Sequence, residues 1–427
     1  MKVLIVGSSG RSHAVAWKLA KSPSVTEIYV APGNPGTASE PKTKNINISH
    51  TDIPKLLDFA RKNRINLTFV AHETPLAMGI VDVFKKARLP IFGPTKSATE
   101  VETSKSFCKD FLKRHNIPCP KFAVFTDAES AKKYVEAEGA PIVIKADGPV
   151  ACRGVVVAHN LKTANAAIDQ MLDETICGAN PKVQIEKFIE GEEISYLVLI
   201  DGKNILPFSS VRDNKALENG DKGLITSGMG AYSPSFLMTP ELDSKIMQQI
   251  IVPTLKGFIA EKRHYQGFLY VGLMLKTDGE PTVLEFNCRL GDPMAQAVLM
   301  RLDDDLFRLL LAAVEKRLDE VITKWDPRPT VCVVMTSKGY PDESTNDEPI
   351  TGLPKMSIPE LKVFQAETKQ GSNGEILTSG GRVLTVAALG ETFLEAKNRA
   401  YDLVKIIKWK NQYYRTDIAQ KAVERKG

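Results

Sequence analysis

Val283-Leu284-Glu285-Phe286-Asn287-Cys288-Arg289-Leu290-Gly291-Asp292-Pro293 is the stretch of this chain with the clearest chemical signal. Side chains at alternate positions of a strand share one face, so Glu285 and Asn287 place a carboxylate beside an amide. Two hard oxygen ligands suit a magnesium ion that keeps bound water and binds mainly through phosphate oxygens. The pattern favours nucleotide chemistry. An edge strand with a solvated Glu and a turn-forming Asn would have the same sequence, so other segments must decide.

The composition is that of a globular protein: 427 residues with a formal net charge of +5. This length predicts roughly two to four domains. The positive charge lies in short, separated clusters, which favours small anionic substrates and argues against nucleic acid. Apolar runs are shorter than a membrane span, and the N-terminus lacks a signal-peptide pattern. We therefore expect a cytoplasmic protein with no membrane partner.

Metal-thiolate and covalent chemistry are not indicated. The six cysteines show no C-x-x-C spacing, and the six histidines fall in no metal-ligand pattern. No Ser/His/Asp or Cys/His arrangement is legible either. The sequence therefore predicts a reaction that needs no protein nucleophile.

The first hundred residues alternate apolar strands with helical periodicity. Such alternation predicts a parallel, doubly wound α/β sheet. The predicted strands are 2–6, 26–30, 66–70 and 89–93, the first helix is 12–21, and a later helix is 102–115.

The rest of the chain mixes strands and loops. Residues 212–235 are irregular and too long for a simple connection, which suggests that they have a function. Pro327-Arg328-Pro329 marks a boundary to a C-terminal unit of short strands. The other predicted elements are two strands flanking a loop between 141 and 157, strands at 183–188 and 194–200, a helix at 293–318, and strands around Val331, Val363 and Leu384.

A glycine turn follows the first strand. It could bind an anion at the N-terminus of the next helix, where free N–H groups and the helix dipole favour negative charge. The spacing Gly7-x-x-Gly10-Arg11 lacks the G-x-G-x-x-G pattern of dinucleotide sites, and Arg11 favours a compact phosphate group. A purely structural turn remains the alternative.

Two lysines and two glutamates are candidate nucleotide ligands. Lys145 ends an apolar strand, where an ammonium can face a phosphate, and Lys105 follows Glu102-Thr103-Ser104 just before the predicted helix continues. Glu186 and Glu193 lie on neighbouring segments, where a carboxylate could bind ribose hydroxyls. Lysines that reach solvent and ordinary acidic surface residues would give the same pattern.

Two polar, glycine-containing segments are candidate loops over the substrates. Residues 148–154 could cover phosphates through backbone N–H groups and Arg153. Asp213 and Lys215, with the glycine-rich run 228–234, suit a substrate that carries an ammonium and a carboxylate.

The motifs, taken in order, match a known family. They are Gly10-Arg11 with His13-Ala14, Ala31-Pro32-Gly33-Asn34, Ile91-Phe92-Gly93-Pro94, Lys145-Ala146-Asp147-Gly148, Gly228 to Pro234, Gly267-Phe268-Leu269-Tyr270, Glu285 to Pro293, and Gly380-Gly381-Arg382-Val383-Leu384. Together they closely resemble the phosphoribosylamine–glycine ligases (glycinamide ribonucleotide synthetases), ATP-grasp enzymes of purine biosynthesis. The resemblance covers essentially the whole chain.

The resemblance implies an α/β (α+β overall) architecture of four parts. They are an N-terminal Rossmann-like domain (1–101), a linker helix with the small ATP-grasp lid (102–189), the large ATP-grasp half with the metal site (190–326), and a small, β-rich C-terminal domain of hybrid-barrel type (327–427).

The resemblance also implies the reaction and the residues that serve it. The family joins 5-phosphoribosylamine to glycine through an acyl phosphate and splits ATP to ADP and phosphate, so positioning and charge neutralisation carry catalysis. The implied small-molecule ligands are the two substrates, ATP and Mg²⁺ or Mn²⁺, and the expected state is a monomer or weak homodimer. By position, the metal ligands are Glu285 and Asn287; the ATP contacts are Lys105, Lys145, Glu186, Glu193 and Gly154; the substrate contacts are Gly10, Arg11 and Asp292; and the catalytic group is Arg289, Asp213, Lys215 and Arg153.

The chain departs from the family pattern near the substrates. Ser12 and Met294 stand where the family usually has an acid, Ile225 replaces an amide, and Ala216 replaces an arginine. Arg153 replaces the lysine of the lid motif, which keeps the charge. Two alternatives to the standard ligase therefore remain: a ligase that joins a different amine or amino acid, and a nucleotide-binding protein without catalysis.

Overall fold

A computed structural model of the chain describes residues 1–148, 154–177, 180–356, 358 and 360–425. Among these residues, no helix combines the length and apolarity needed to cross a membrane.

The described residues form both strands and helices, numbered in chain order. The strands are β1 Lys2–Gly7, β2 Glu27–Pro32, β3 Thr43–Asn45, β4 Leu67–Val70, β5 Ile91–Phe92, β6 Phe122–Phe125, β7 Ile142–Ala146, β8 Val155–Ala158, β9 Val183–Lys187, β10 Gly191–Ile200, β11 Ile205–Pro207, β12 Arg212–Asp213, β13 Ala216–Glu218, β14 Lys222–Ile225, β15 Gly230–Ser233, β16 Gly267–Lys276, β17 Pro281–Asn287, β18 Thr330–Thr336, β19 Leu361–Gln365, β20 Thr368–Gln370, β21 Ile376–Thr378 and β22 Arg382–Leu389. The α-helices are α1 Gly10–Ala20, α2 Pro35–Ala38, α3 Ile53–Lys62, α4 Glu73–Met78, α5 Ile80–Lys86, α6 Lys96–Thr103, α7 Lys105–Arg114, α8 Ala128–Glu138, α9 Leu161–Met171, α10 Glu174–Cys177, α11 Pro240–Ile246, α12 Val252–Ala260, α13 Met294–Arg301, α14 Leu306–Val314, α15 Phe393–Ile406 and α16 Gln420–Glu424. A π-helical turn, Met247–Ile251, joins α11 to α12, and a short 3₁₀ helix spans Leu318–Glu320.

The N-terminal sheet is parallel, with strand order β3-β2-β1-β4-β5. Its central strand β1 is apolar at four successive positions from Val3 to Val6, each fully buried, because helices cover both faces of the sheet. The predicted parallel α/β sheet is confirmed, with the strand ends shifted by one or two residues.

The small sheet, β6-β9-β7-β8, is antiparallel. It has its own core, in which Ile144 and Ile185 of the sheet pack with Ile168 of α9. The large sheet, β11-β10-β16-β17, is also antiparallel and faces the small one. β17, at its edge, carries Glu285 and Asn287.

A fourth sheet has the order β12-β15-β18-β22-β19. Its first two strands come from residues 212–233 and the other three from 330–389, so the sheet crosses the predicted boundary at 326/327. The predicted irregular stretch 212–235 therefore contains β12 to β15. Its strands are too short to show an alternating pattern in the sequence.

Two predicted helices were wrong in their extent. The helix predicted at 102–115 is broken at Ser104, whose extended backbone ends α6 and whose side chain caps α7 by accepting a hydrogen bond from Phe107 N. The helix predicted at 293–318 is broken at Leu302, and Asp305 caps α14 in the same way. In both places an internal capping residue is compatible with helical periodicity but starts a new helix.

Candidate functional site

Two adjoining cavities lie where the sheets meet. The larger has a volume of about 430 Å³ and the smaller about 260 Å³. Lys145, Glu285, Asn287 and Arg289 line both. The predicted residues that line the larger cavity also include Arg11, Glu186, Glu193, Asp213, Lys215 and Asp292, and Lys105 lines the smaller.

Glu285 lies among lysines at the end of β17. Its Oε1 is 2.9 Å from Lys215 Nζ. Burial opposes its ionisation, but Lys215, Lys145 and Lys105 lower the pKa of Glu285 to about 2. The carboxylate is therefore charged at neutral pH, as a metal ligand must be.

The donor set at β17 fits a magnesium-type site. Asn287 lies two residues after Glu285 on β17, and within the described part of the chain its Oδ1 accepts only one long contact, of 3.4 Å, from Arg289. No group of three or more His, Cys, Asp or Glu side chains in the described residues could hold a metal alone. A cation bound by Glu285 and Asn287 would thus complete its coordination with phosphate oxygens and water, which is the preference of Mg²⁺.

Glu186 forms a buried charge cluster with two lysines. Lys145 Nζ is 2.7 Å and Lys109 Nζ 3.4 Å from Glu186 Oε1. Burial opposes ionisation here too, and the two ammonium groups lower the pKa of Glu186. Lys105 donates to the Ala146 carbonyl at 2.7 Å. Lys105, Lys109 and Lys145 thus bring three positively charged ammonium groups to this end of the site, which suits polyphosphate.

An apolar slot leads into that positive end. It lies between Val143, Val155 and Val157 of the small sheet and Met274 and Leu284 of the large one. A planar base would fit between two such apolar surfaces. Gly154 precedes β8, and a Cβ there would meet no atom within 4 Å. Arg153 lies outside the described residues.

Lys215 joins the segment after β12 to β10 and β17 through ion pairs. Its ammonium is 2.6 Å from Glu193 in addition to its contact with Glu285. Burial opposes its protonation, but the two carboxylates raise the pKa of Lys215 well above its ordinary value. Lys215 therefore stays charged and holds Glu193 and Glu285 in place.

Asp213, on β12, is half-buried, and its buried Oδ1 has no hydrogen-bond partner among the residues that the structure describes. Burial raises the pKa of Asp213 to about 7, against the opposing effect of Lys215. The space beside it is open because residue 228 is glycine, where a Cβ would come 2.8 Å from this oxygen. Asp213 also lines the larger cavity, so this acceptor without a partner lies next to the space that a ligand could occupy.

Arg289 is fixed by two carboxylates. Its Nε is 2.7 Å from Glu73 and one terminal nitrogen is 3.1 Å from Glu102. Burial raises the pKa of Glu102, while Arg289 and Arg11 lower that of Glu73 despite burial. The guanidinium is thus held in one orientation at the junction of the two cavities.

The glycine turn meets the Gly-Asp-Pro turn. Arg11 donates through its backbone N to Asp292 at 2.9 Å and through its guanidinium to the Leu290 carbonyl at 2.7 Å. Gly10 lies behind it, and a Cβ there would come 2.6 Å from Gln296 Nε2. The structure therefore explains Gly10 by close packing, and its predicted contact with substrate stays a prediction.

The departures from the family pattern occupy different environments. Ile225 is 43% exposed and lines the larger cavity, as does the buried Met294. Ser12 is fully buried inside α1. Ala216 is buried, and its carbonyl accepts from Arg415 at 3.0 Å. Of the four, Ile225 and Met294 therefore add apolar side chains to the lining of the larger cavity.

Several residues at the site were missed by the sequence reasoning. Glu73 and Glu102 hold Arg289, Lys109 supports Glu186, and Arg382 of β22 lines the larger cavity and donates to the Ser227 carbonyl at 2.8 Å. Asp147 caps α7 by accepting from Lys105 N at 2.6 Å. Of these, only Asp147 and Arg382 lie in motifs quoted for the resemblance. The others have no local pattern that separates them from surface charges.

Comparison with known proteins covers the whole chain. Residues 1–102 match the phosphoribosylglycinamide synthetase N domain, residues 103–295 its ATP-grasp (A) domain and residues 330–421 its C domain. The chain is 49% identical over 426 residues to phosphoribosylamine–glycine ligase of Vibrio vulnificus, with 100% of this chain and 99% of that protein covered. It is 50% identical, with the same coverage, to the protein of that name from Allochromatium vinosum.

Solved structures agree on the fold. A phosphoribosylamine–glycine ligase from Thermotoga maritima superposes with a TM-score of 0.83 at 31% identity, covering 98% of this chain and 100% of that one. The biotin carboxylase domain of 2-oxoglutarate carboxylase from Hydrogenobacter thermophilus superposes with a TM-score of 0.71 at 15% identity, covering 99% and 98% of the two chains. The second likeness shows the shared ATP-grasp fold alone.

Proposed function

The chain belongs to the phosphoribosylglycinamide synthetase family, and we propose that it joins 5-phosphoribosylamine to glycine in an ATP-dependent step of purine biosynthesis. The observation that carries this proposal is the continuity of the two cavities. Glu285 and Asn287 of β17 line both cavities. They lie between Lys105 and Lys145, the lysines proposed to bind ATP, and the pair Asp213 and Arg289.

ATP would bind with its base in the apolar slot and its phosphates toward Lys105 and Lys145. Glu186 and Glu193, together with Gly154, are the other proposed contacts for the nucleotide. Glu285 and Asn287 would hold Mg²⁺ or Mn²⁺, which neutralises phosphate charge when bound. The low pKa of Glu285 and the positive surroundings of Glu186 support this assignment.

The proposed chemistry has two displacements. A carboxylate oxygen of glycine attacks the γ-phosphorus and the bond to the β-phosphate oxygen breaks, which releases ADP and leaves an acyl phosphate. The amine of phosphoribosylamine then attacks the acyl carbon, phosphate leaves, and the new amide nitrogen loses a proton. Both steps depend on positioning and on stabilisation of developing negative charge.

The chain's own residues would divide this work. Arg289 and Lys215 offer fixed positive charge beside the reacting groups, and Arg153 is proposed to do so from the lid. Asp213, with its free Oδ1, would accept a hydrogen bond from the amine. Arg11 and Asp292, with Gly10, would form the substrate side of the site, where the guanidinium of Arg11 suits a phosphate group.

A ligase for a different amine or amino acid is the second candidate, and one observation favours it. Ile225 and Met294 line the cavity with apolar surface where the family usually has polar groups. The partners remain small molecules in either case, and a monomer or weak homodimer is the proposed state, which light scattering would test.

The deciding experiment measures ADP release with ATP, Mg²⁺ and glycine, with and without freshly prepared phosphoribosylamine, followed by mass analysis of the product. Release that needs both substrates and yields glycinamide ribonucleotide is the expected result. Nucleotide binding without that product would contradict the proposal and justify a screen of other amines and amino acids.

A further inference from the structure

The hairpin of β13 and β14, residues 216–225, flanks the active-site cavity. Lys215 immediately precedes it and Ile225 ends it, and both line the cavity. The hairpin forms a sheet of two strands only. Because an isolated two-stranded hairpin is marginally stable, contacts from elsewhere must fix its position.

Residues 413–421, which we call the C-terminal clamp, supply those contacts. Arg415 is 1% exposed and donates to the Ala216 carbonyl at 3.0 Å. The same guanidinium lies 2.9 Å from Asp221 in the hairpin turn and makes two bonds of 2.8 Å to Asp417. Asp417 in turn accepts from Gly220 N at 2.7 Å. One buried guanidinium thus binds the first strand and the turn of the hairpin together.

Further bonds join the clamp to the hairpin tip. Asn219 exchanges two hydrogen bonds with Thr416, of 2.6 Å and 3.0 Å. The Tyr413 hydroxyl donates to the Leu217 carbonyl at 3.0 Å. The clamp is itself anchored, because the Tyr401 hydroxyl of α15 donates to the Arg415 carbonyl at 2.6 Å. The hairpin is therefore tied through the clamp to α15, in addition to the bond that Thr226 N donates to the Lys215 carbonyl at 2.8 Å at its base.

We propose that Arg415 is a positioning residue for the reaction: through the hairpin it sets the place of Lys215 beside Glu193 and Glu285. Arg415 does not line either cavity, so its effect on the reacting groups is indirect. Contacts on both sides of Lys215 define its place. Glu285 holds the ammonium, Thr226 N donates to the Lys215 carbonyl at 2.8 Å, and Arg415 holds the carbonyl of Ala216, the next residue. The expected change in kcat rests on the proposed ligase function, whereas the expected change in hydrogen exchange does not.

The test replaces Arg415 by Lys, which keeps the charge but cannot make the forked contacts of a guanidinium. We expect kcat to fall by about tenfold or more, since small misplacements of a catalytic group are costly. KM for ATP should change by a smaller factor than kcat, because the lysines proposed to face the phosphates lie on α7 and β7. Amide hydrogen exchange over 216–225, and at Gly220 above all, should become faster. Wild-type kcat and wild-type exchange in a folded Arg415→Lys protein would overturn the proposal.

A milder variant decides the matter if Arg415→Lys does not fold. Asn219→Ala combined with Tyr413→Phe removes three clamp bonds without disturbing the buried guanidinium, and the same loss of kcat with faster exchange is expected in smaller degree. Unchanged kcat and exchange in that protein would overturn the proposal. Arg425→Ala is the matched control, because Arg425 pairs with Glu192 of β10 instead of the hairpin. If the wild-type protein shows no ligase turnover, the proposed function fails while hydrogen exchange still tests the clamp.

Discussion

The ammonium of Lys215 lies 2.9 Å from a carboxylate oxygen of Glu285. This contact joins the strand proposed to carry the metal to the segment proposed to face the substrates. It also helps to keep the pKa of Glu285 low and the carboxylate ionised.

Replacement of Glu285 by Gln should lower ATP turnover by about a hundredfold or more, because the metal loses its charged protein ligand. The fold should survive, since Lys215 keeps Glu193 as a partner. ADP release and a thermal melt measure the two effects. Glu280→Gln is the control, as Glu280 is a partly exposed residue just before β17 that pairs with Lys245. ADP release at the wild-type rate from the Glu285 variant would refute the metal assignment.

Replacement of Lys145 by Met should weaken nucleotide binding by about tenfold, because one ammonium group that faces the phosphates is lost. Of the two lysines that pair with Glu186, Lys109 then remains. Calorimetry with ATP or ADP gives the dissociation constant. Lys132→Met, which removes a surface pair with Asp169 in the same sheet unit, should bind nucleotide normally. Equal affinities for all three proteins would show that Lys145 serves only the fold.

The raised pKa of Asp213 makes stability depend on pH. Between its unfolded value of about 3.8 and its folded value of about 7, the folded state binds the proton that the unfolded state has released. The stabilisation from this group is therefore complete below the unfolded pKa and is lost as pH rises to the folded pKa, by up to about 1.4 kcal/mol per pH unit. The Asp213→Asn variant has no ionisable group at this position, so its free energy of unfolding lacks this dependence on pH.

Urea unfolding of the ligand-free proteins from pH 5 to 8 measures that dependence. The free energy of unfolding of the wild type should fall relative to that of Asp213→Asn up to about pH 7 and then run parallel to it. Curves that stay parallel over the whole range would show that Asp213 has an ordinary pKa.

Replacement of Ile225 by Asn tests whether the apolar cavity wall limits the standard reaction. An amide that hydrogen-bonds the substrate should raise kcat/KM with glycine and phosphoribosylamine by about fivefold, or about 1 kcal/mol. Ile322→Asn changes an 85% exposed residue outside the cavity and should have no effect. A fall in kcat/KM for the Ile225 variant would favour the alternative of a different, more apolar substrate.

Much of the fold was predictable from the sequence because its signals are local. Buried parallel strands such as β1 are continuous apolar runs, and the Gly7 and Gly93 turns follow strands directly. The ordered motifs then identified the ATP-grasp arrangement. The breaks at Ser104 and Leu302 were missed because one capping or extended residue barely alters helical periodicity.

The site was predictable only in part, for a physical reason. Glu285 and Asn287 share a strand, so their spacing reveals a common face, and both line the cavities. Glu73 and Glu102 reach Arg289 from helices about two hundred positions away in the chain. No periodicity within one segment of the sequence indicates such a contact. The contact of Arg415 with the hairpin has no local sequence signal either.

The fourth sheet, β12-β15-β18-β22-β19, joins the last hundred residues of the chain to the rest. A chain that stopped at 326 would keep β12 and β15 but lose β18, so the unpaired backbone of β15 and the apolar side chains that β18 covers would face water. Such an exposed edge promotes aggregation, and the hairpin beside Lys215 would lose its clamp as well. Truncation cannot yield a smaller ligase from this chain, and an exchange of C-terminal portions between relatives would succeed only where β15 and β18 are exchanged together.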